Sequence, residues 1–273
     1  MSVLAEMMSL EFAQRALVAA MLLAVLSSLV GFFVVLRRLA FVTVGLSHAA
    51  LGGVALGVVL AQSPVLWAIV FAVAVALGMA ALGAKGMSED TSLGVFFPAA
   101  MAFGVLLIGV SPGWQRDLLA YLFGSVLAVT PADLWLLAGT TLVVTVIIVA
   151  LFKELLYITF DEEGAHAAGL PVEPLRRLLL VICAVTVVVA IKVVGVILVS
   201  ALLVIPAAAA GRLTYRWQGV LAGSFVVAAV SLVGGLAASF AAPGDLNVPA
   251  GAAAVLIAAT VFGLCAAVGR VRR

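Results

Sequence analysis

Charge is what this sequence has least of. Only 10% of its 273 residues are Asp, Glu, Lys or Arg, while 66% are hydrophobic. A soluble domain is roughly 25% charged and roughly 45–50% apolar. So few charges cannot cover a water-facing surface, and the expected solvent is a lipid bilayer. Histidine is nearly missing, with only His48 and His166 present. An intramembrane zinc enzyme needs three protein ligands and a base, and the sequence has no His-Glu-x-x-His pattern, which argues against that class. Cys183 and Cys265 stand far apart in apolar runs, outside any paired-cysteine motif, and read as small hydrophobes in helix packing. A Gly-x-x-x-x-Gly-Lys-Ser/Thr loop is also lacking, so this chain is not expected to hydrolyse ATP itself. A net charge of +2 is too small to point to nucleic acid.

What the sequence does have is long apolar runs. A spanning helix needs about 20 apolar residues. Candidate spans cover 12–36, 41–61, 64–85, 93–111, 131–152, 175–192, 194–210, 219–241 and 249–268. A shorter apolar piece, 118–128, reads as an interfacial or re-entrant helix, or as one more span. The expectation is an all-α, polytopic transmembrane bundle of about nine spans, eight to ten, forming a single domain over 1–273. The start, Met1 to Glu11, carries two glutamates and no basic residue before Arg15, so the first run is expected to be a retained helix rather than a signal peptide. Runs this long argue against a barrel, whose strands would alternate over short segments. Glycines such as Gly52, Gly53, Gly57, Gly78, Gly83, Gly234 and Gly235 suit close helix packing.

Basic residues orient the spans. Arg37 and Arg38 follow the first, Lys85 closes the third, and Lys153, Arg176 and Arg177 frame the loop after the fifth. Arg212 and Arg216 follow the seventh, and Arg270, Arg272 and Arg273 end the chain. With nine spans all of these fall on one face, read as cytoplasmic. Gln62, Asp245 and Asn247 fall on the other, with Arg116 as a basic exception.

Two ionisable residues stand out inside spans. His48 lies ten residues past Arg38, about 15 Å along a helix and so close to the midplane of a core about 30 Å thick. A midplane imidazole is costly unless it meets a cavity or partner, and neutral imidazole is a good zinc ligand. The blander alternative is a histidine satisfied by a neighbouring helix. Lys192 lies about 22 Å from Arg177, past the midplane. Snorkelling to the outer interface is the plain reading, and a gate is the functional one. In the loop after the fifth span, Asp161 can cap a short helix whose first turn suits Glu162 and Glu163. Gly169 fits its stop, and Pro171 prevents continuation. Asp117, Asp133 and Asp245 read as cap or turn residues near helix ends.

The stretch from Phe41 to Gly57, with Leu46-Ser47-His48-Ala49-Ala50 and Gly53-Val54-Ala55-Leu56-Gly57, resembles the zinc/manganese branch of ABC importer permeases. So do Ser88 to Gly94, Asp117 to Gly124, Phe160 to Glu163 with Gly169, and Val194 to Ala208, in the family order. The resemblance implies a homodimeric permease in the plasma membrane of a prokaryote, driven by two cytoplasmic ATPases. An extracytoplasmic protein would deliver the metal. It places the coupling helix within 153–176, at Asp161, Glu162, Glu163, Ala165 and Gly169. It places the metal at His48, with Ser47 as a neighbour. Many relatives hold an aspartate four residues before this histidine, and here that place is Val44. A histidine with fewer carboxylates leans towards zinc and away from manganese. Manganese or iron import and an ion-coupled secondary carrier are the other readings. A carrier usually needs more midplane ionisable groups than His48 alone.

Overall fold

The computed structural model describes residues 9–109, 129–242 and 248–271, and every described element is helical. The helices are α1 (Glu11–Leu36), α2 (Ala40–Val59), α3 (Pro64–Gly83), α4 (Glu89–Gly109) and α5 (Pro131–Ala150). After them come α6 (Phe152–Phe160), α7 (Glu162–Ala167), α8 (Val172–Val194), α9 (Val196–Leu213), α10 (Trp217–Ala241) and α11 (Ala250–Val271). Among the described residues eight helices are long and apolar enough to cross a membrane, and α9 holds a shorter apolar stretch. That agrees with the expected bundle of about nine spans. Segment 118–128, Arg116, Asp117, Asp245 and Asn247 lie outside the described residues.

Local chemistry sets several boundaries. Ser63 caps α3 ahead of Pro64, whose missing N–H would have no partner there anyway. Thr130 and Asp133 form a reciprocal capping box at the start of α5, followed by Pro131. Gly195, at φ +93°, breaks what would otherwise be one long helix into α8 and α9.

Helix α8 sits in the middle of the bundle against α1, α2, α3, α5 and α9, and most of its residues are buried. Helix α2 packs between α3 and α4, running antiparallel to the first and parallel to the second. A Cβ on Gly53 would lie 2.4 Å from the Trp67 carbonyl oxygen, so only glycine permits the α2–α3 approach. Helix α9 contains Pro206, which cannot donate to the carbonyl of Leu202. The buried Ser27 hydroxyl of α1 donates to that carbonyl instead, at 2.6 Å. In lipid a freed carbonyl needs such a partner.

Side-chain contacts bring the end of α1, the start of α8 and the end of α3 together on one face. Arg37, ending α1, reaches Ile158 of α6 and Glu162 of α7. Arg176, early in α8, reaches Ala80 near the end of α3. Phe152 of α6 packs on Phe32 and Phe33 of α1 and on Trp217 of α10. At the opposite face Lys192 of α8 meets Asp133 of α5, and Phe12 of α1 meets Phe240 of α10. Between the two faces, Val105, Leu106, Leu142, Val146, Val149 and Leu256 are exposed, as expected of lipid-facing side chains.

Candidate functional site

His48 stands near the middle of the 20-residue helix α2. Its ring is half-buried and meets Phe97 of α4 edge to face, with centroids 5.3 Å apart. Its Nδ1 is buried without a hydrogen-bond partner among the described residues. The satisfied-core alternative therefore finds no support at this nitrogen. Val44 lies one turn earlier on the same helix face and is also half-buried. The Ser47 hydroxyl donates to the Val44 carbonyl at 2.8 Å, bonding back to its own helix. Its lone pairs remain free to accept. No group of three His, Cys, Asp or Glu side chains comes together among the described residues. One copy thus presents a single nitrogen donor rather than a closed coordination shell.

The second region is the basic end. Asp161 caps α7, its Oδ1 accepting from the Gly164 N–H at 2.8 Å. At the other end Leu170 N–H donates to the Ala165 carbonyl and Gly169 N–H to the His166 carbonyl, both at 3.0 Å. Gly169 has φ +80°. This is the Schellman closure, in which the residue after the cap takes the left-handed region. Ala165 is fully buried, anchoring α7 on the bundle, while Asp161, Glu163 and His166 are exposed. An open hollow of about 570 Å³ lies beside it, lined by Glu162, Glu163, His166, Leu170 and Glu173 among others. Glu162 turns back to pair with Arg37, so of the two glutamates Glu163 is the one left facing outward.

Lys192 occupies the last turn of α8, and its Nζ lies 2.5 Å from Asp133 Oδ1. Asp133 is the more buried of the two side chains, 16% exposed against 33% for Lys192. Lys192 was expected to lie towards the outer interface and Asp133 at a helix end. Asp133 does stand in the first turn of α5, and its pairing with Lys192 across 59 residues was not expected. In the sequence Arg37 signals only orientation, and nothing near it hints at its contact with α7. No local pattern announces either pair, because both join helices distant in the chain.

These features define a polytopic helical membrane protein with a capped helix exposed at its basic end. A model of the ABC 3 transport family matches residues 9–269, and the chain belongs to that family. It is 35% identical to the manganese transport system membrane protein MntC of Halalkalibacterium halodurans, over 95% of this chain and 88% of that one. It is 30% identical to the high-affinity zinc uptake system membrane protein ZnuB of Haemophilus influenzae, over 91% of this chain and 94% of that one. The solved structure of PsaBC from Streptococcus pneumoniae in complex with Fab matches at a TM-score of 0.84 and 33% identity. That match covers 96% of this chain and 95% of the other.

Proposed function

We propose that two copies of this chain enclose the membrane path of an ATP-driven importer for a divalent transition metal, with zinc preferred. The observation that carries this reading is His48. A half-exposed imidazole with an unpartnered nitrogen is costly at mid-membrane depth unless it faces a wet path or a second copy. Relatives named for manganese and for zinc support a metal cargo and leave the choice between them open. Ligand chemistry leans to zinc, because the position one turn before His48 is Val44 rather than a carboxylate, and manganese favours oxygen donors. Manganese or iron is the alternative cargo. Ser47, buried next to His48, is a neighbour of the path rather than a group lining it.

ATP is hydrolysed by a separate cytoplasmic ATPase dimer, which docks on α7. Asp161 and Gly169 define the ends of that helix, Ala165 anchors it, and Glu163 faces outward. Glu162 ties it to α1. An extracytoplasmic metal-binding protein delivers cargo at the opposite face, where Lys192 and Asp133 form a candidate gate. The bacterial relatives support a prokaryotic plasma membrane as the setting. Closure of the ATPases pushes the two α7 helices, and the bundle alternates its access around His48. The test is uptake into vesicles holding this chain with its matching ATPase and binding protein, with zinc, manganese and iron in competition. Uptake that continues without ATP would overturn the importer reading in favour of a secondary carrier.

A further inference from the structure

Arg37 has no assigned part in the path or in docking, yet its surroundings are unusual for a cation at a membrane end. Its side chain is only 9% exposed. It closes α1, with its backbone N–H donating to the Phe33 carbonyl at 2.9 Å. Arg38 then takes φ +60°, uncommon for a residue with a side chain, and Leu39 N–H folds back onto the Val34 carbonyl at 2.8 Å. Helix α2 begins at Ala40. Arg37 thus sits at the tight elbow from which the His48 helix departs.

From that elbow the guanidinium reaches two other elements. One arm donates to the Ile158 carbonyl at 3.3 Å, in the final turn of α6, where the helix dipole favours a cation. Another pairs with the Glu162 carboxylate, in the first turn of α7. At its other end α6 is held to the same helix by Phe152, whose ring lies 5.8 Å from Phe33 and 6.1 Å from Phe32. The α6–α7 unit is therefore clamped to the end of α1 at two points, and the polar point also binds α7. The planar fork of arginine can hold a carboxylate and a carbonyl at once, which a lysine ammonium does with less geometric control.

We infer that Arg37 is a positioning residue that transmits displacement of α7 to the α1–α2 elbow, and so to the helix carrying His48. This rests on the reading that α7 is where the ATPase docks. An ordinary surface ion pair would not serve, since such pairs are weak and screened. Burial on the Arg37 side and the second contact at Ile158 distinguish this one.

The test compares Glu162→Gln and Glu162→Asp, both at a half-exposed position where substitution is expected to leave the fold standing. Arg37→Lys is the third variant. Each is reconstituted with the matching ATPase and binding protein, with zinc and manganese offered separately. The readout is metal moved per ATP hydrolysed. Ala167→Cys, on exposed α7, reports docking in each background through a thiol–amine cross-linker to the ATPase. Glu162→Gln is expected to lower the ratio about tenfold, the size of losing a charge-assisted contact. Glu162→Asp should retain most of it, and Arg37→Lys should fall between. If the cross-link forms and the ratio in Glu162→Gln matches wild type, the transmission role is overturned while docking stands. If uptake and ATPase activity fall together at constant ratio, Arg37 is merely structural, which also overturns it. Absence of the cross-link in the wild-type background overturns the docking reading and this inference with it.

Discussion

The basic end of the bundle and the middle of α2 treat polar groups in opposite ways. Around α7 at the basic end the groups that fix the helix have defined partners. Asp161 caps α7, Gly169 completes its closure, and Arg37 holds Ile158 and Glu162. In the middle of α2, Ser47 bonds only to its own helix and His48 Nδ1 bonds to nothing described. A part that receives a push must be stiff, and satisfied polar networks are stiff. A part that binds and releases an ion must not satisfy its donor permanently. On the proposed function the contrast separates a transmitting end from a binding middle, and it can be broken by experiment.

The largest effect is expected at His48. Replacing it with alanine should reduce metal uptake to near background. Stability should fall by only about 1 kcal/mol, because the edge-to-face contact with Phe97 is lost but no hydrogen bond at Nδ1 is. Thermal unfolding in detergent beside vesicle uptake checks both halves. Normal zinc transport by His48→Ala would make the histidine structural and erase the binding half of the contrast.

Next in size is Gly169. Proline there cannot adopt φ +80° and loses the N–H that bonds His166, a local cost of about 3 kcal/mol. Gly169→Pro should leave the bundle folded but uncouple ATPase activity from uptake. Gly169→Asn tolerates the left-handed region and should stay near wild type. Equal behaviour of the two variants would show that the Schellman closure is not what places α7.

How these regions could be read in advance also differs. The spans and the α7 boundaries were legible because they depend on local chemistry. Twenty apolar residues make a span, Asp161 caps three residues onward, and Gly169 supplies the left-handed turn. Arg37–Glu162 and Lys192–Asp133 were not legible, because the partners lie 125 and 59 residues apart. Only packing decides which of several cations meets which carboxylate. The Ser27–Leu202 bond lies between these cases. Pro206 announces a freed carbonyl at Leu202, but many serines could have answered it. At His48, depth was legible from its distance to Arg38, whereas the missing partner at Nδ1 was not.

A smaller effect is expected from Val44→Asp. It places a carboxylate one turn before His48 and adds an oxygen donor to the nitrogen. Manganese should gain on zinc by about tenfold in competition, or ~1.4 kcal/mol of differential binding. Measuring both ions over the same vesicles sharpens the account of the binding half. An unchanged ratio would mean that Val44 does not face the ion.

The smallest effect concerns the outer end, where Lys192 and Asp133 can be a gate or a brace. Lys192→Met removes the ammonium but keeps most of the apolar stem. Asp133 then stays largely buried, with Thr130 still donating to it through both hydroxyl and backbone N–H. Partial satisfaction limits the expected loss to about 1–2 kcal/mol, below the 3–5 kcal/mol of a fully orphaned buried charge. Asp133→Asn should cost a similar amount, since it weakens the capping box as well as the pair. The double variant removes both charges and should cost less than the two singles added together, because neither group is left charged and alone. That non-additivity, read from thermal unfolding, establishes the brace. A gate makes a further demand. The double variant should then admit metal faster than its stability predicts, because the contact that holds α5 to α8 at the outer face is gone. Uptake that tracks stability across all three variants assigns the pair to bracing alone. In that case the outer end joins the basic end as a rigid frame, and the proposed path is left to His48, whose Nδ1 has no partner among the described residues.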